Sequence, residues 1–207
     1  MGSWHYLLRA GVYANGLAIG FVLMGFEMLG SRYLNPYFGS GIVTWAALIS
    51  TVLLALMVGY FLGGWLVDKT PHLRVLSVLV IVASLYLFAV PGLADATIAK
   101  LIGIAGDGAT GVISASIALI FVPVTLLGTF SPFGVRLLLH TTTHSGRTTG
   151  TVYGVSTVGN IIGVMATTFI LIPTIGSREI TTLFAAILLA SGVLLFVMDR
   201  LSRKYAL

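Results

Sequence analysis

The chain has 207 residues, of which 57% are hydrophobic and only 8% are charged, and its mean hydropathy is +1.06. Soluble domains carry about 25% charged residues, so this chain has too little polar material to cover a water-facing surface. It contains no cysteine, which excludes disulfides, thiolate metal sites and cysteine nucleophiles. The net charge of +5 would suit a nucleic-acid ligand, but membrane orientation explains it below, and we expect no nucleic-acid binding.

Six apolar stretches follow one another along the chain. They cover residues 12–34, 41–67, 75–90, 109–139, 151–172 and 180–197. Pro91 and Gly92 predict the end of the third stretch, and residues 94–101 predict an external loop or interfacial turn. The sequence therefore predicts an all-α integral membrane protein, with one transmembrane domain over residues 1–207 and six spanning helices.

Basic residues between the stretches are unevenly divided between the two sides of the membrane. One side carries Arg9, Lys69, Arg74, Arg136, Arg147, Arg200, Arg203 and Lys204. The other side carries Arg32, Lys100 and Arg178. Because short cytoplasmic loops are enriched in lysine and arginine, both termini are predicted to be cytoplasmic, in a multi-pass protein of the plasma (inner) membrane.

Polar side chains concentrate in the first, second, fourth and fifth stretches, whereas the third and sixth are nearly pure hydrocarbon. Polar groups cost free energy against lipid, so the four polar helices are expected to face one another or a watery cavity. The third and sixth helices are expected to face lipid. Glycines four residues apart allow close helix approach, and ordinary bundle packing is the leading interpretation of them. These pairs are Gly16 and Gly20, Gly59 and Gly63, and Gly159 and Gly163.

Glu27 lies about seven residues, or roughly 10 Å, inside the outer end of the first helix. A carboxylate at that depth is expensive unless it is protonated, paired or hydrated. Arg32 lies about 140° around the same helix, which makes a direct pair awkward. Arg32 of another subunit, Arg136 if the fourth helix bends at Pro132, or a cationic solute are better partners. A structural role in the bundle and a role in solute binding remain equally open.

Tyr153 and Asn160 are seven residues apart on the fifth helix and therefore share one face. Both side chains are candidates for lining a cavity. Hydrogen bonding between helices explains them equally well.

Residues 64–74, GWLVDKTPHLR, join the second and third helices. This loop resembles the signature loop of the major facilitator superfamily, in which a glycine precedes Leu-x-Asp-Arg/Lys and a further basic residue. The resemblance implies a conformational latch, since the family's aspartate pairs with basic residues of a neighbouring helix. The implied latch residues are Asp68, Lys69, Arg74 and Arg136. Pro71 and His72 depart from the family pattern, and a plain positively charged turn is the alternative.

Three further segments carry a second resemblance: GFEMLGSRYLNPYFGS at 25–40, TFSPFGVR at 129–136, and GRTTGTVY with STVGN within 146–160. They are similar to the membrane portion of the fused major-facilitator/spermidine-synthase-like family. The resemblance covers most of the chain and implies a bundle like one half of a major facilitator fold. No segment resembles the synthase domain of those proteins, so we expect no enzymatic activity and no cofactor or metal.

A facilitator contains two six-helix halves related by an axis along the membrane normal. One half alone leaves polar faces uncovered, so a parallel homodimer with that two-fold axis is expected within the lipid bilayer. The expected function is half-size secondary transport of a small solute, and the family link suggests a polyamine-like cation. The expected substrate-binding residues are Glu27, Arg32, Tyr153 and Asn160. The alternative is a membrane scaffold or accessory subunit for a separately encoded spermidine-synthase-like enzyme.

Overall fold

The computed structural model describes residues 2–139 and 145–205, and the side chains of residues 6–139 and 145–202. Within these ranges the chain forms six long helices, and each contains an apolar window long enough to cross a bilayer. They are α1 (Gly2–Phe38), α2 (Ile42–Lys69), α3 (Leu73–Ala105), α4 (Ala109–Leu138), α5 (Ser145–Thr174) and α6 (Ser177–Tyr205). The prediction of six membrane-spanning helices is confirmed. The side chains of Arg203 and Lys204 lie outside the described residues.

α3 is much longer than its predicted span. The helix continues through Pro91 to Ala105, so the predicted stop at Pro91 and the predicted loop at 94–101 are wrong. Val90, Ala94 and Ile98 are all buried at helical spacing and continue the inward face of the earlier turns. Burial of that continuous face outweighs the one backbone hydrogen bond that the proline removes.

The helices pack in a pattern that repeats between the two halves of the chain. α1 packs on α5 and α6, α4 packs on α2 and α3, and α3 packs on α6. Exchanging α1 with α4, α2 with α5 and α3 with α6 maps this pattern onto itself. Such a relation is typical of two three-helix repeats of inverted topology.

α1 and α4 occupy the centre of the bundle, and α5 lies at its edge. In the apolar windows of α1 and α4, 61% of the residues are buried, whereas the value for α5 is 17%. A helix this exposed depends on few neighbours for its position. The packing of α5 on α1 therefore decides where its polar side chains lie.

Glycines bring α5 against α1 at backbone distance. A Cβ atom at Gly159 would collide with the carbonyl oxygen of Leu17, and one at Gly163 would collide with that of Phe21. The same applies between α2 and α4, where a Cβ atom at Gly63 would lie 2.8 Å from the Cα atom of Thr129. The interpretation of the glycine pairs as bundle packing is confirmed, because all six glycines meet atoms of another helix.

Two buried serines of α3 face α6. Ser77 Oγ donates a hydrogen bond of 2.7 Å to the carbonyl oxygen of Gly192 on α6. Ser84 Oγ donates one of 2.7 Å to the carbonyl oxygen of Ala185, also on α6. The expectation that α3 and α6 face lipid therefore describes only their outer sides, where apolar side chains such as Leu85 are exposed.

Two wide turns of π-helix interrupt α4 and α5, each two residues before a proline. They are Ile117–Phe121 before Pro123 and Thr167–Leu171 before Pro173. A proline ring crowds the carbonyl group four residues earlier and offers no N–H group, and a wider preceding turn relieves that clash. In α4 the carbonyl oxygen of Ala118, five residues before the proline, accepts a hydrogen bond from the Tyr86 hydroxyl of α3.

The contact between α1 and α5 can be tested with two alanine substitutions on one helix. Gly159→Ala places a methyl group against the Leu17 carbonyl, so we expect it to lower the free energy of unfolding by about 1–3 kcal/mol. Gly154→Ala is the matched control, since no atom outside its own helix lies within 4 Å of the added Cβ. Thermal unfolding in mild detergent measures both. Equal effects of the two substitutions would contradict the packing described.

Candidate functional site

A cleft of about 80 Å³ lies among α1, α2, α4 and α5. Its polar lining consists of Tyr60, Ser131, Tyr153, Ser156, Thr157 and Asn160. The predicted grouping of these four helices around a shared cavity is confirmed. The volume holds a few water molecules, whereas sites for drug-sized ligands measure about 300–1,000 Å³.

Ser156 and Asn160 bring unpartnered polar atoms to this cleft. The Ser156 Oγ and Asn160 Oδ1 atoms are buried, and no other described group forms a hydrogen bond with them. They lie one turn apart on α5, against glycines of α1: a Cβ atom at Gly16 would lie 3.2 Å from Ser156 Oγ, and one at Gly20 would lie 2.9 Å from Asn160 Oδ1. A buried polar atom without a partner costs about 1–3 kcal/mol. A water molecule or a polar group of a solute in the cleft would remove that cost.

Two other buried hydroxyl groups, those of Thr125 and Thr167, also lack partners among the described residues. Neither residue lines the cleft. Unlike Ser156 and Asn160, they are single groups on different helices and form no shared polar surface.

Tyr60 and Tyr153 meet at the edge of the cleft between α2 and α5. Their ring centroids are 6.4 Å apart and the rings are inclined by 73°, an edge-to-face arrangement. Each residue is 40% exposed. The pair therefore forms a wall of side chains, not of backbone, at this edge of the cleft.

Glu27 lies on α1 beyond the cleft and is only 8% exposed. It does not line the cleft, but it lies seven residues from Gly20 and on the same helix face, roughly 10 Å along the axis. The Cα–Cβ bonds of a helix tilt toward its N-terminus, which directs this side chain toward the cleft. No hydrogen bond or ion pair joins Glu27 to another described residue. Its carboxyl group therefore has no cation within the part of the subunit that the structure describes.

The predicted substrate residues are only partly brought together. Tyr153 and Asn160 both line the cleft, and Glu27 follows it on the adjoining helix. Arg32 is exposed near the end of α1 and does not line the cleft. Among the described residues neither Arg32 nor Arg136 forms an ion pair with Glu27. A cation that pairs with this carboxylate would have to come from another subunit or from solution. Otherwise the carboxylate would have to be protonated.

The residues of the predicted latch are exposed at one end of the bundle. Asp68 and Lys69 end α2, and the ammonium group of Lys69 lies 4.0 Å from the centroid of the Trp65 ring. In the described ranges no ion pair joins Asp68 to Arg74 or Arg136. The arrangement predicted by the facilitator-like loop is therefore not formed within the described part of one subunit.

Asp199 was missed in the sequence, although it is an acidic residue directly after the apolar middle of α6. It is 5% exposed on α6, and its Oδ1 atom accepts a hydrogen bond of 3.2 Å from the backbone N–H of Arg74. A carboxylate at the N-terminus of α3 also interacts favourably with the helix dipole. Asp199 thus ties α6 to the start of α3.

Ser156 and Tyr60 also escaped selection as site residues. Ser156 precedes Asn160 by four residues and shares its helix face, a spacing that could have identified it. Tyr60 could not be paired with Tyr153 from sequence, because periodicity gives the face of a helix but not its neighbour.

No group of three or more histidine, aspartate or glutamate side chains that could hold a metal ion is found among the residues that the structure describes. No family model, no curated protein and no solved structure matches the chain. The resemblance to the major facilitator superfamily and to the fused synthase-like family stays a prediction.

Access to the cleft can be measured because the chain has no native cysteine. We expect Ser156→Cys to react with a small, charged thiol reagent in membrane vesicles, because Ser156 lines a polar cleft. Val158→Cys lies two residues away, does not line the cleft and faces the apolar surroundings, so it is expected to react at least tenfold more slowly. Similar rates at the two positions would show that the cleft is not hydrated.

Proposed function

We propose that the chain is a half-size secondary transporter that works as a parallel homodimer and moves a small solute past the cleft among α1, α2, α4 and α5. The observation that carries the proposal is the pair of buried, unpartnered polar atoms at Ser156 and Asn160. These two residues lie one helical turn apart and line the same cleft, unlike Thr125 and Thr167, whose hydroxyl groups also lack partners among the described residues. A pathway requires such atoms, because they exchange water for solute.

The position of the cleft supports transport. Gly20 and Asn160 lie near the middle of α1 and α5, and the contacts between helices have the symmetry of an inverted repeat. In secondary transporters built from such repeats, the solute binds near the bilayer midplane where the repeats meet. A bundle resembling one half of a major facilitator fold fits this arrangement.

The size of the cleft supports a second subunit. About 80 Å³ is too small for an organic solute, so another wall must complete the site. Tyr153 and Thr157 are exposed beside the cleft on α5, the least buried helix. The Thr157 hydroxyl donates a hydrogen bond to the Tyr153 carbonyl oxygen, but lipid would solvate the Tyr153 hydroxyl poorly. A second copy related by a two-fold axis along the membrane normal would cover these groups and place two clefts face to face.

Glu27 supports a cationic solute or a coupled proton. Its carboxyl group is buried on the helix face that leads to the cleft and has no cationic partner among the described residues. A polyamine-like cation is the solute that we propose first, and Arg32 would lie at the outer mouth of the pathway. The proposed location is the plasma (inner) membrane, with both termini cytoplasmic.

Transport is tested by the uptake of radiolabelled spermidine into proteoliposomes that contain the purified chain. Glu27→Gln removes the buried negative charge, and we expect uptake to fall by roughly tenfold or more while thermal stability is retained. Glu179→Gln is the matched control, since it removes the charge of an exposed carboxylate in the first turn of α6 and should leave uptake unchanged. Uptake by the wild type that does not exceed uptake by protein-free liposomes would favour a membrane scaffold for a separately encoded enzyme, and equal protein-dependent uptake by Glu27→Gln would remove Glu27 from the pathway.

The oligomeric state provides an independent test. The mass of the protein in mild detergent, corrected for bound detergent, is expected to be twice the 21.8 kDa of one chain. Only a second copy can complete the wall of the cleft in the proposed arrangement. A strict monomer that still transports spermidine would overturn the paired arrangement.

A further inference from the structure

A second and larger cavity, of about 380 Å³, lies at the end of the bundle where α4 ends and α5 begins. We call it the basic cavity. It is lined by Arg9 and Tyr13 of α1, Leu138 of α4, and Arg147, Thr148 and Thr151 of α5. None of these residues lines the central cleft, so the basic cavity is a separate site.

Among the residues that the structure describes, no carboxylate forms an ion pair with its two guanidinium groups. The chain contains six acidic residues, and none of them lies on α4 or α5. The single acidic residue of α1, Glu27, is roughly 27 Å along the helix from Arg9. Two acidic residues belong to helix ends on this side of the bundle. They are Asp68 at the end of α2 and Asp199, which binds the start of α3.

Arg9 and Arg147 also lack side-chain partners within the described part of the chain. Neither forms an ion pair, and neither donates a side-chain hydrogen bond, to another described residue. Two guanidinium groups on the wall of one cavity repel each other unless an anion lies between them. An anion held by both would convert that repulsion into charge-assisted hydrogen bonds.

The remaining lining suits a tetrahedral oxyanion. Tyr13, Thr148 and Thr151 contribute hydroxyl groups beside the arginines, and Thr151 already donates its own hydrogen to the Arg147 carbonyl oxygen at 2.8 Å. The guanidinium fork matches the geometry of phosphate oxygens, which it binds in a bidentate manner. A volume of about 380 Å³ leaves room for a phosphate group together with the group that it esterifies.

We propose that the basic cavity binds a phosphate group, held between Arg9 of α1 and Arg147 of α5. Two sources can supply this chemistry at the end of a membrane bundle: the headgroup of an anionic phospholipid, or inorganic phosphate from solution. In either case the bound phosphate fastens α5 to α1. α5 is the least buried helix, and it carries most of the polar wall of the cleft among α1, α2, α4 and α5. The bound phosphate would therefore help to hold that wall in place.

The experiment measures the binding of phosphatidylglycerol micelles and of inorganic phosphate to the detergent-purified chain, by native mass spectrometry and by thermal shift. We expect Arg9→Gln and Arg147→Gln each to weaken binding by roughly tenfold or more. Arg200→Gln is the matched control: Arg200 is an exposed arginine beside the Phe196 ring and does not line the cavity. Arg147→Lys, which retains the charge without the fork, is expected to weaken binding less than Arg147→Gln.

The two probes distinguish the sources of the phosphate group. Arginine-dependent binding of phosphatidylglycerol alone assigns the cavity to lipid, and arginine-dependent binding of inorganic phosphate alone assigns it to a soluble anion. Binding of neither probe, or loss of binding by Arg200→Gln as large as by Arg147→Gln, overturns the proposal. The proposal is also overturned if Arg9→Gln and Arg147→Gln bind the probes as strongly as the wild type does. These outcomes leave the proposed transport untouched, because spermidine uptake is measured separately.

Discussion

Hydrocarbon offers no hydrogen bonds, so a polar atom inside a bundle of spanning helices needs a partner within the protein or in trapped water. This constraint orders most of the polar groups of the chain. Ser77 and Ser84 donate to carbonyl groups of α6, and Ser191 of α6 binds Asn15 of α1. The hydroxyl groups that hold α3 and α1 to α6 thus leave the outer surface apolar. Against that background the Ser156 and Asn160 atoms of α5 differ, because no described group forms a hydrogen bond with them.

The position of those atoms follows from the close approach of α1 and α5. Glycine at positions 20, 159 and 163 lets the two backbones meet, so the side chains of Ser156 and Asn160 lie against bare backbone instead of other side chains. The same closeness leaves little room for groups that could satisfy them. α5 is attached mainly along this one seam and is otherwise exposed. A helix held on one side leaves its other side exposed.

Much of this arrangement could be predicted from sequence because hydropathy and spacing report on the solvent around each helix. The six spans, the inward grouping of four helices and the packing of the glycine pairs could all be predicted in this way. The prediction at Pro91 was wrong because proline usually ends a helix, whereas here the buried apolar face of α3 continues past it to Ile98. The contact of Tyr60 with Tyr153 and the bond from Arg74 to Asp199 depend on which helices are neighbours. The periodicity of a sequence does not show which helices are neighbours. For the same reason the sequence could not show which group, if any, contacts the Glu27 carboxylate.

The wide turns of α4 and α5 have a mechanical meaning. Each holds one residue more than an ordinary turn, and tightening it would rotate every later residue of that helix by about 100°. Such a rotation exchanges the side chains that line an interior for those that face outward, without moving the helix axis. In α4 the Tyr86 hydroxyl of α3 holds a carbonyl group of this turn, that of Ala118. The hydroxyl group of Tyr86 on α3 thus binds the wide turn of the central helix α4, and a tightening of that turn would displace its acceptor.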